Sequence, residues 1–308
     1  MTLRTRRLGE GGPEVTVVGV GCNNFGGSYD RGFGLERARA VVDAAFDEGI
    51  SLFDTADIYA QGRSEEHLGA ALGSRRAGVV VATKFGMAMQ GAPDLPRGSA
   101  AYVRSACEQS LRRLGTVWID LYQQHQPDPS TPIEETLGAL HELVEAGKVR
   151  FVGSSNFSPA QIEEAESVAR ERNLSRFVSA QNQYSLLHRE PEDELLPTCE
   201  RLGIGVLPWY PLAKGLLTGK YGRGEPGDGR LAGQEIPPDQ LDRVDALRGY
   251  AEARGRSLLD VAIGGLLAMP AVVSVIAGAT KPEQVRANVR AASWEPAEAD
   301  LAALLEIR

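Results

Sequence analysis

Residues 149–170, VRFVGSSNFSPAQIEEAESVAR, contain the pattern that decides the fold. Residues 149–153 predict a short strand, a polar loop follows, and Pro159 opens a segment with helical spacing that extends to residue 170. Ser158 stands where a side-chain oxygen commonly caps a helix. The stretch therefore predicts one strand–loop–helix unit of an α/β protein.

The same unit recurs along the chain. Its apolar runs are rich in valine and isoleucine, which is typical of parallel strands buried on both faces. The predicted strands are residues 15–20, 51–54, 79–83, 119–123, 149–153, 177–180, 204–207 and 272–276. The predicted helices are residues 36–48, 65–72, 101–114, 133–146, 159–170, 192–201, 239–255 and 282–289. Ser64 fits a helix N-cap, and glycines stand where helices should end, at Gly49, Gly73, Gly147 and Gly203.

Eight such units in 308 residues predict a (β/α)8 TIM barrel with its active site at the C-terminal rim of the strands. We expect a single domain over residues 1–308, with a long loop at about 222–238. A doubly wound parallel sheet is the rival fold, because it shows the same alternation. Residues 19–24, GVGCNN, lack the last small residue of a dinucleotide-binding G-x-G-x-x-G loop and give that rival weak support.

Composition and charge argue against several classes of binding partner. A net charge of −8 predicts no nucleic-acid partner. We see no secretory signal and no apolar stretch long enough to span a bilayer, so we expect no membrane association. The three cysteines are far apart and form no C-x-x-C pattern, which favours a reducing compartment and argues against a cysteine metal site. We therefore expect a cytoplasmic protein without a metal, and the sequence leaves its oligomeric state open.

Four polar residues follow three neighbouring predicted strands. Asp54 ends one strand and Tyr59 lies in the loop after it, Lys84 follows the next strand, and His125 follows the third. Because the carboxyl ends of parallel strands meet at one rim of a barrel, we expect these side chains to converge. Taken singly, each also has an ordinary structural role, such as a capping aspartate or a packing tyrosine.

Lys84 gives the group of four its chemical meaning. A lysine is almost never fully buried without a partner, and Asp54 on the neighbouring strand is the available carboxylate. A cation near a phenol favours the phenolate, so Lys84 would make Tyr59 a usable proton donor or acceptor. His125 would donate a hydrogen bond to a carbonyl oxygen. A Schiff-base aldolase or isomerase with Lys84 as nucleophile is the rival chemistry, although Asp54 should keep that lysine charged.

The residues around this group resemble the aldo-keto reductases. Residues 52–59, LFDTADIY, followed by Gly62, the pair 64–65 and the pair 68–69, are similar to the first signature of that family. Residues 121–125, LYQQH, with Pro127 and Asp128 after them, resemble the second signature. The resemblance runs from residue 6 to residue 288. It implies the barrel fold and a catalytic tetrad of Asp54, Tyr59, Lys84 and His125.

Later strand ends carry amides, hydroxyls and an aromatic ring. Ser155, Asn156 and Gln181 can hydrogen-bond the edge of a ring that carries a carboxamide, and Trp209 can stack on the face of that ring. The resemblance implies that these residues hold a nicotinamide. It also implies cofactor contacts in the segment that follows Trp209, at Tyr210, Pro211, Leu212, Lys214 and Gly215.

The last predicted strand leads into a glycine-containing turn and a helix that opens at Pro282, an arrangement whose free amides suit an anion. The resemblance places the adenosine 2′-phosphate and the adenine here, which implies roles for Gly278, Thr280, Lys281, Gln284 and Asn288. Many relatives have arginine where this chain has Gln284. We favour NADP(H) because Lys281 remains to neutralise a phosphate, with NAD(H) as the alternative.

The expected activity is reduction of aldehydes or ketones to alcohols, or the reverse, by hydride transfer from NADPH, with a small carbonyl or alcohol as substrate. A cofactor-loaded binding or regulatory subunit is the non-enzymatic alternative that the family resemblance leaves open. The predicted substrate contacts are Asn24, Phe25, Tyr29 and Phe85. The substrate itself is not predicted, because loops of variable shape form the outer wall of such sites.

Overall fold

A ring of eight parallel strands forms the centre of the molecule in a computed structural model that describes residues 3–27, 33–222, 229 and 231–307. The predicted contact Tyr29 and residues 223–228 and 230 of the predicted long loop lie outside the described residues. A hairpin of β1 (Thr5–Arg7) and β2 (Glu14–Thr16) precedes the ring. The ring strands are β3 Val18–Gly21, β4 Leu52–Asp54, β5 Val80–Phe85, β6 Ile119–Gln124, β7 Val149–Ser155, β8 Phe177–Gln181, β9 Gly205–Val206 and β10 Val275–Gly278.

The strand order identifies the fold. Hydrogen-bonded neighbours run β10-β3-β4-β5-β6-β7-β8-β9, all parallel and otherwise in chain order. A bridge between Val206 and Val272 joins the two ends of this series, with Val206 N donating to Ala271 O at 2.7 Å and Val273 N donating to Val206 O at 3.0 Å. The predicted (β/α)8 barrel is confirmed, and the doubly wound sheet is excluded because its strand order would reverse part-way.

Helices connect the strands on the outside of the ring. In the described part of the chain they are α1 Leu35–Asp47, α2 Arg63–Leu72, α3 Ala100–Leu114, α4 Ile133–Glu145, α5 Pro159–Glu171, α6 Leu195–Leu202, α7 Pro238–Glu252, α8 Leu258–Leu267, α9 Pro282–Ala291 and α10 Glu298–Leu305. Helix α5 begins as predicted, because Ser158 and Gln161 form a reciprocal capping box and Pro159 occupies the first turn. None of the helices described here has the length and apolar character that crossing a membrane requires.

Two local predictions were wrong. Residues 15–20 do not form one strand, because the Thr16 side chain donates to Val18 O at 2.8 Å and the chain passes there from the hairpin into the ring. Ser64 does not cap α2, which begins one residue earlier. Its buried hydroxyl instead donates to Cys22 O at 2.7 Å and lies 2.8 Å from the Thr55 hydroxyl. These bonds hold the start of α2 against the loop that follows β4.

Packing leaves one end of the barrel open. Side chains from the hairpin and the strands fill the interior near the amino ends of the strands, in a cluster that includes Leu8, Val15 and Leu52. The hairpin is held there by Glu10 N, which donates to Gly203 O at 2.6 Å. The larger apolar layer lies between the strands and the helices. Access from solvent is therefore at the carboxyl ends of the strands, where this fold places its sites.

Candidate active site

A cleft of about 1240 Å³ lies across the carboxyl ends of the strands. Its wall runs from the ends of β3 and β4 to the first turns of α9, so it is long enough to take an extended molecule as well as a small one. Most of the site residues predicted from the sequence line it: Asn24, Asp54, Tyr59, His125, Ser155, Asn156, Gln181, Trp209, Tyr210, Pro211, Leu212, Lys214, Gly215, Gly278, Thr280, Gln284 and Asn288.

Lys84 lies beneath the floor of this cleft and has no exposed surface. It belongs to β5 itself, not to the loop after it, so its side chain points into the barrel. The ammonium donates to both carboxylate oxygens of Asp54 at 2.9 and 2.8 Å and to Thr55 O at 2.8 Å. It also lies 3.5 Å from the Tyr59 hydroxyl. The structure thus brings together three of the four residues in one hydrogen-bonded group.

The charge on Lys84 follows from this geometry. Burial alone would lower the pKa of Lys84, but Asp54 and Tyr59 outweigh it and the pKa is raised above its ordinary value. The ammonium is therefore charged throughout the neutral range. The chain directly after Tyr59 is unusual as well, because Ala60 and Gln61 adopt left-handed φ values of 50° and 56°. Such conformations cost about 1–3 kcal/mol each and concentrate at functional sites.

His125 contributes a neutral ring. It is 8% exposed, and burial, followed by the nearby Lys84 charge, lowers its pKa to about 3. Its ring is nearly perpendicular to that of Tyr59, with ring centres 5.9 Å apart. The His125 backbone is fixed at both polar groups, because its N donates to Phe85 O at 2.8 Å and its O accepts from Asn156 Nδ2 at 2.9 Å. A neutral imidazole held next to the phenol can donate to a carbonyl oxygen without carrying a charge.

Amides and hydroxyls from β7 and β8 form a second group beside the first. Ser155 Oγ donates to Gln181 O at 2.8 Å, and Trp209 Nε1 donates to Asn156 Oδ1 at 3.1 Å. Gln181 Nε2 donates to Asp54 Oδ1 at 2.9 Å, which joins this group to the carboxylate under Lys84. The Trp209 ring packs edge-on against Tyr210, with centroids 4.9 Å apart.

The segment after β9 has unusual backbone geometry. Tyr210, Ala213 and Lys214 have left-handed φ values of 52°, 46° and 57°, and Gly215 follows at 103°. Non-glycine residues rarely adopt this region without a compensating role. Apart from Ala213, the residues from Tyr210 to Gly215 line the cleft, so much of this strained backbone lies where an extended ligand would pass.

The turn between β10 and α9 forms the far end of the cleft. Gln284 Oε1 accepts from Thr280 N at 2.7 Å and from Thr280 Oγ1 at 3.2 Å, so the glutamine closes the turn from within. Lys281 is exposed at the N-cap of α9. Arg37 from α1 reaches the same turn, with Nη2 donating to Thr280 O at 3.4 Å.

Comparison with known proteins gives the family. The sequence model of the Aldo/keto reductase family matches residues 17–308 of this chain. The chain belongs to the aldo/keto reductase family.

Three relatives show which kinds of protein this aldo/keto reductase is similar to. A probable aldo-keto reductase 1 of Glycine max is 36% identical over 308 residues, covering 97% of this chain and 87% of the relative. A probable voltage-gated potassium channel subunit beta of Oryza sativa subsp. japonica is 37% identical over 304 residues, covering 94% and 91%. The L-glyceraldehyde 3-phosphate reductase of Escherichia coli (strain K12) is 34% identical over 307 residues, covering 94% and 87%. The protein is an NAD(P)H-dependent oxidoreductase.

Two residues of the reductase that were predicted to contact the substrate do not line the cleft. Phe25 is fully buried and stacks on Phe33, with ring centroids 5.2 Å apart. Phe85 is fully buried against Tyr122 at 4.8 Å. Successive side chains of a strand point to opposite faces, so Phe85 must point outward when Lys84 points inward. Lys281 also lies outside the cleft wall that the described residues form.

Other residues of the reductase line the cleft without having been predicted as site residues. Ile58, Met87 and Gln126 surround the opening near Tyr59, while Lys220 and Leu259 border the far half. The first three each lie within three positions of a predicted tetrad member, a signal that sequence reasoning could have used. Leu259 lies in the first turn of α8, an apolar helix that the sequence pattern did not predict.

Proposed function

We propose that this aldo/keto reductase reduces aldehydes or ketones to alcohols, or catalyses the reverse reaction, with Tyr59 as the general acid or base. The observation that carries the proposal is the buried Lys84 ammonium, which contacts both Asp54 oxygens and lies 3.5 Å from the Tyr59 hydroxyl. A phenol beside a permanent cation gives up its proton more readily than a phenol in water. The four residues can move a proton at an oxygen atom and can do little else.

A nicotinamide bound beside these residues would supply the complementary chemistry, namely the hydride that the carbonyl carbon receives or, in the reverse direction, the acceptor for one. Tyr59 protonates the oxygen that becomes the hydroxyl group. Lys84 then stabilises the phenolate, and Asp54 fixes the ammonium in place. His125, neutral in the fold, donates a hydrogen bond to the same oxygen and orients it.

The residues present fit such a cofactor. Ser155, Asn156 and Gln181 line the cleft with hydroxyl and amide groups that can hydrogen-bond a carboxamide, and the Trp209 ring lines the cleft with them. The remaining contacts proposed for the cofactor are Tyr210, Pro211, Leu212, Lys214, Gly215, Gly278, Thr280, Lys281, Gln284 and Asn288. The cleft extends without interruption from Tyr59 to the α9 residues, as an extended dinucleotide requires.

We further propose a preference for NADPH over NADH. Lys281 at the N-cap of α9 combines a cation with the amides and dipole of a helix start, the combination that favours a phosphate. Gln284 bonds within the turn and brings no charge. The preference therefore depends on one exposed lysine and the helix, with Arg37 anchored on the same turn.

The substrate is proposed to be a small carbonyl or alcohol that binds over Tyr59. The described wall there contains both polar and apolar side chains, from Asn24 and Gln126 to Ile58 and Met87. One relative is named a glyceraldehyde 3-phosphate reductase, which makes short hydroxylated aldehydes the first substrates to assay.

Substitution of Tyr59 by phenylalanine tests the function. We expect Tyr59→Phe to lower kcat for a simple aldehyde by roughly 10²- to 10⁴-fold, the usual contribution of a general acid. The dissociation constant for NADPH should stay near the parent value, because the hydroxyl is not a proposed cofactor contact. Turnover is followed by NADPH absorbance, and binding by fluorescence titration.

Tyr250→Phe is the matched control, since its hydroxyl donates to Asp300 O at 2.7 Å on the outer helices. Equal kcat values for the Tyr59→Phe variant and the parent would refute the assignment.

A second candidate function is a binding or regulatory subunit that carries the cofactor. It is favoured by the similarity to proteins named as potassium channel beta subunits. Steady turnover that Tyr59→Phe abolishes would exclude it. The Schiff-base alternative is disfavoured by the raised pKa of Lys84, because the nucleophile must be a neutral amine.

A further inference from the structure

Asp57 lies between Asp54 and Tyr59 in the chain, yet the proposed mechanism does not use it. Its side chain is 1% exposed and does not line the cleft. Among the described residues, its Oδ1 atom has no hydrogen-bond partner. A buried carboxyl group with an unpartnered oxygen is costly, so its presence needs a physical account.

The backbone of Asp57 holds the Tyr59 loop in place. Asp57 N donates to Lys84 O at 3.1 Å, and Thr55 N donates to Ala82 O at 2.9 Å. Both bonds fasten the loop after β4 onto the end of β5. Because Thr55 O also accepts from the Lys84 ammonium, a shift of this loop would move the cation relative to the Tyr59 phenol.

The groups that face the Asp57 carboxyl come from each element packed around it. They are Glu65 on α2, Arg113 and Tyr102 on α3, Lys84 on β5 and Tyr122 on β6. Arg113 Nε already donates to Glu65 Oε2 at 2.6 Å, and Glu65 Oε1 accepts from Thr83 at 2.6 Å. The nearest guanidinium is thus paired with another carboxylate.

Ionisation of Asp57 would place a second negative charge in this buried layer. Burial, and then the Glu65 carboxylate, raise the pKa of Asp57 to about 8. At neutral pH the carboxyl group therefore carries its proton. In alkaline solution the new charge would repel Glu65 and compete with Asp54 for the attraction of Lys84.

We propose that Asp57 is a positioning residue: while its buried carboxyl group is uncharged, the Tyr59 loop stays seated on β5 through its backbone bonds, and ionisation of the group displaces that loop and lowers turnover. The proposal rests on the proposed function for its effect on catalysis. Its structural part, an uncharged buried carboxyl group, is independent of any substrate.

Asp57→Asn is the informative variant, because asparagine has the shape of the protonated acid and cannot ionise. We expect the kcat of the parent to fall on the alkaline side with a midpoint near the pKa of about 8. The Asp57→Asn variant should stay active at pH 7 and lack this decrease. Asp193→Asn, at an exposed position, is the control and should keep the profile of the parent.

Two measurements need no substrate. The carbonyl stretch of a protonated carboxylic acid should appear in the infrared spectrum of the parent at pH 7 and be missing from that of Asp57→Asn. The folded state with a raised carboxyl pKa binds more protons than the unfolded chain, so the contribution of Asp57 to the free energy of unfolding should fall as the pH rises from about 4 to about 8. The urea concentration at the midpoint of unfolding should therefore change less over this pH range for Asp57→Asn than for the parent.

The outcomes separate the two proposals. Identical infrared spectra and identical stability curves for the parent and Asp57→Asn would overturn the uncharged assignment. An unchanged alkaline decrease of kcat in the variant, or loss of its activity at pH 7 with a native circular dichroism spectrum, would overturn the positioning role. A parent protein that turns over no carbonyl or alcohol would instead refute the proposed function, and the infrared and unfolding results would still decide the state of Asp57.

Discussion

Lys84 has no exposed surface, and Asp54 beside it is 4% exposed, so each charge depends on the other. Lys84→Met would leave the carboxylate buried without its cation, which typically costs about 3–5 kcal/mol. We expect that loss in the free energy of unfolding, measured in urea, together with loss of kcat. The double variant Asp54→Asn/Lys84→Met removes both charges, and should recover much of the stability while staying inactive.

The double variant is what distinguishes a charge effect from a packing effect. If single and double variants were equally unstable, the cost would come from the shape of the methionine. Activity that returned with stability would show that the pair has only a structural role.

His125 makes a pH-dependent contribution to stability, because its imidazole is buried in the neutral form. Its folded pKa of about 3 lies below the ordinary value of 6.5, so the unfolded chain binds the proton more readily. The contribution of His125 to stability is therefore complete above pH 6.5 and decreases as the pH falls towards 3. When the pH falls from 6.5 to 4.5, we expect the free energy of unfolding of His125→Gln to decrease by about 2 kcal/mol less than that of the parent. Parallel unfolding curves for the two proteins would contradict the buried neutral imidazole.

The pairing of Lys84 with Asp54 was predictable from the residues, since a lysine on an apolar strand needs a carboxylate close by. The outward position of Phe85 was predictable too, from the alternation of a strand that carries Lys84 inside. The environment of Phe25 was not, because its partner Phe33 is eight positions further along the chain and no strand or helix period relates the two. Ser64 was misplaced for a similar reason: its hydroxyl bonds to Cys22, 42 positions away.

Among the secondary structure elements, α9 has at its N-cap the residue on which the proposed preference for NADPH depends, Lys281. Lys281→Ala should raise the KM for NADPH by about two- to fivefold and leave the KM for NADH unchanged, as expected for one solvent-exposed ion pair. Steady-state assays with both cofactors measure the two constants. Lys148→Ala, on the far side of the barrel at the start of β7, is the matched control for loss of a lysine. An equal effect on both cofactors would contradict a phosphate contact.

Amphipathic helices and apolar strands were predicted to within a few residues, because their burial is one-sided or complete in a regular way. Helix α8 was missed because all but two of its residues are buried, and a helix without a polar face gives no 3.6-residue period. Helix α10 is short and was missed as well. The hairpin was missed because its second strand runs almost directly into β3.

At the scale of the whole molecule, the cleft joins residues from strands around much of the ring. A dinucleotide bound along it should therefore stabilise the barrel as a unit, by about 2.7 kcal/mol at a free concentration 100 times Kd. Thermal unfolding with increasing NADP⁺ should show a rising Tm, and Tyr59→Phe should show the same rise. The same concentration of NAD⁺ should raise Tm less. No shift with either cofactor would contradict the assignment of the cleft.

The alternation of strands and helices could not by itself distinguish a closed ring from an open sheet. What decides between them is the contact of Val206 with Val272, 66 positions apart, and nothing in either local sequence marks it. The tetrad, by contrast, could be predicted in either arrangement, since it uses three consecutive strands. The wall residues contributed by distant loops depend on closure and were the least predictable.

The hydrogen bond between Gln181 and Asp54 has a mechanical consequence. In the ring order, β4 and β8 stand opposite each other, so this 2.9 Å bond, with the two side chains that make it, spans the diameter of the barrel mouth. Any widening of the mouth pulls on the carboxylate that fixes the Lys84 ammonium. In the proposed mechanism, the acidity of the Tyr59 phenol therefore depends on the diameter of the barrel mouth, and a distant substitution that changes this diameter should also change turnover.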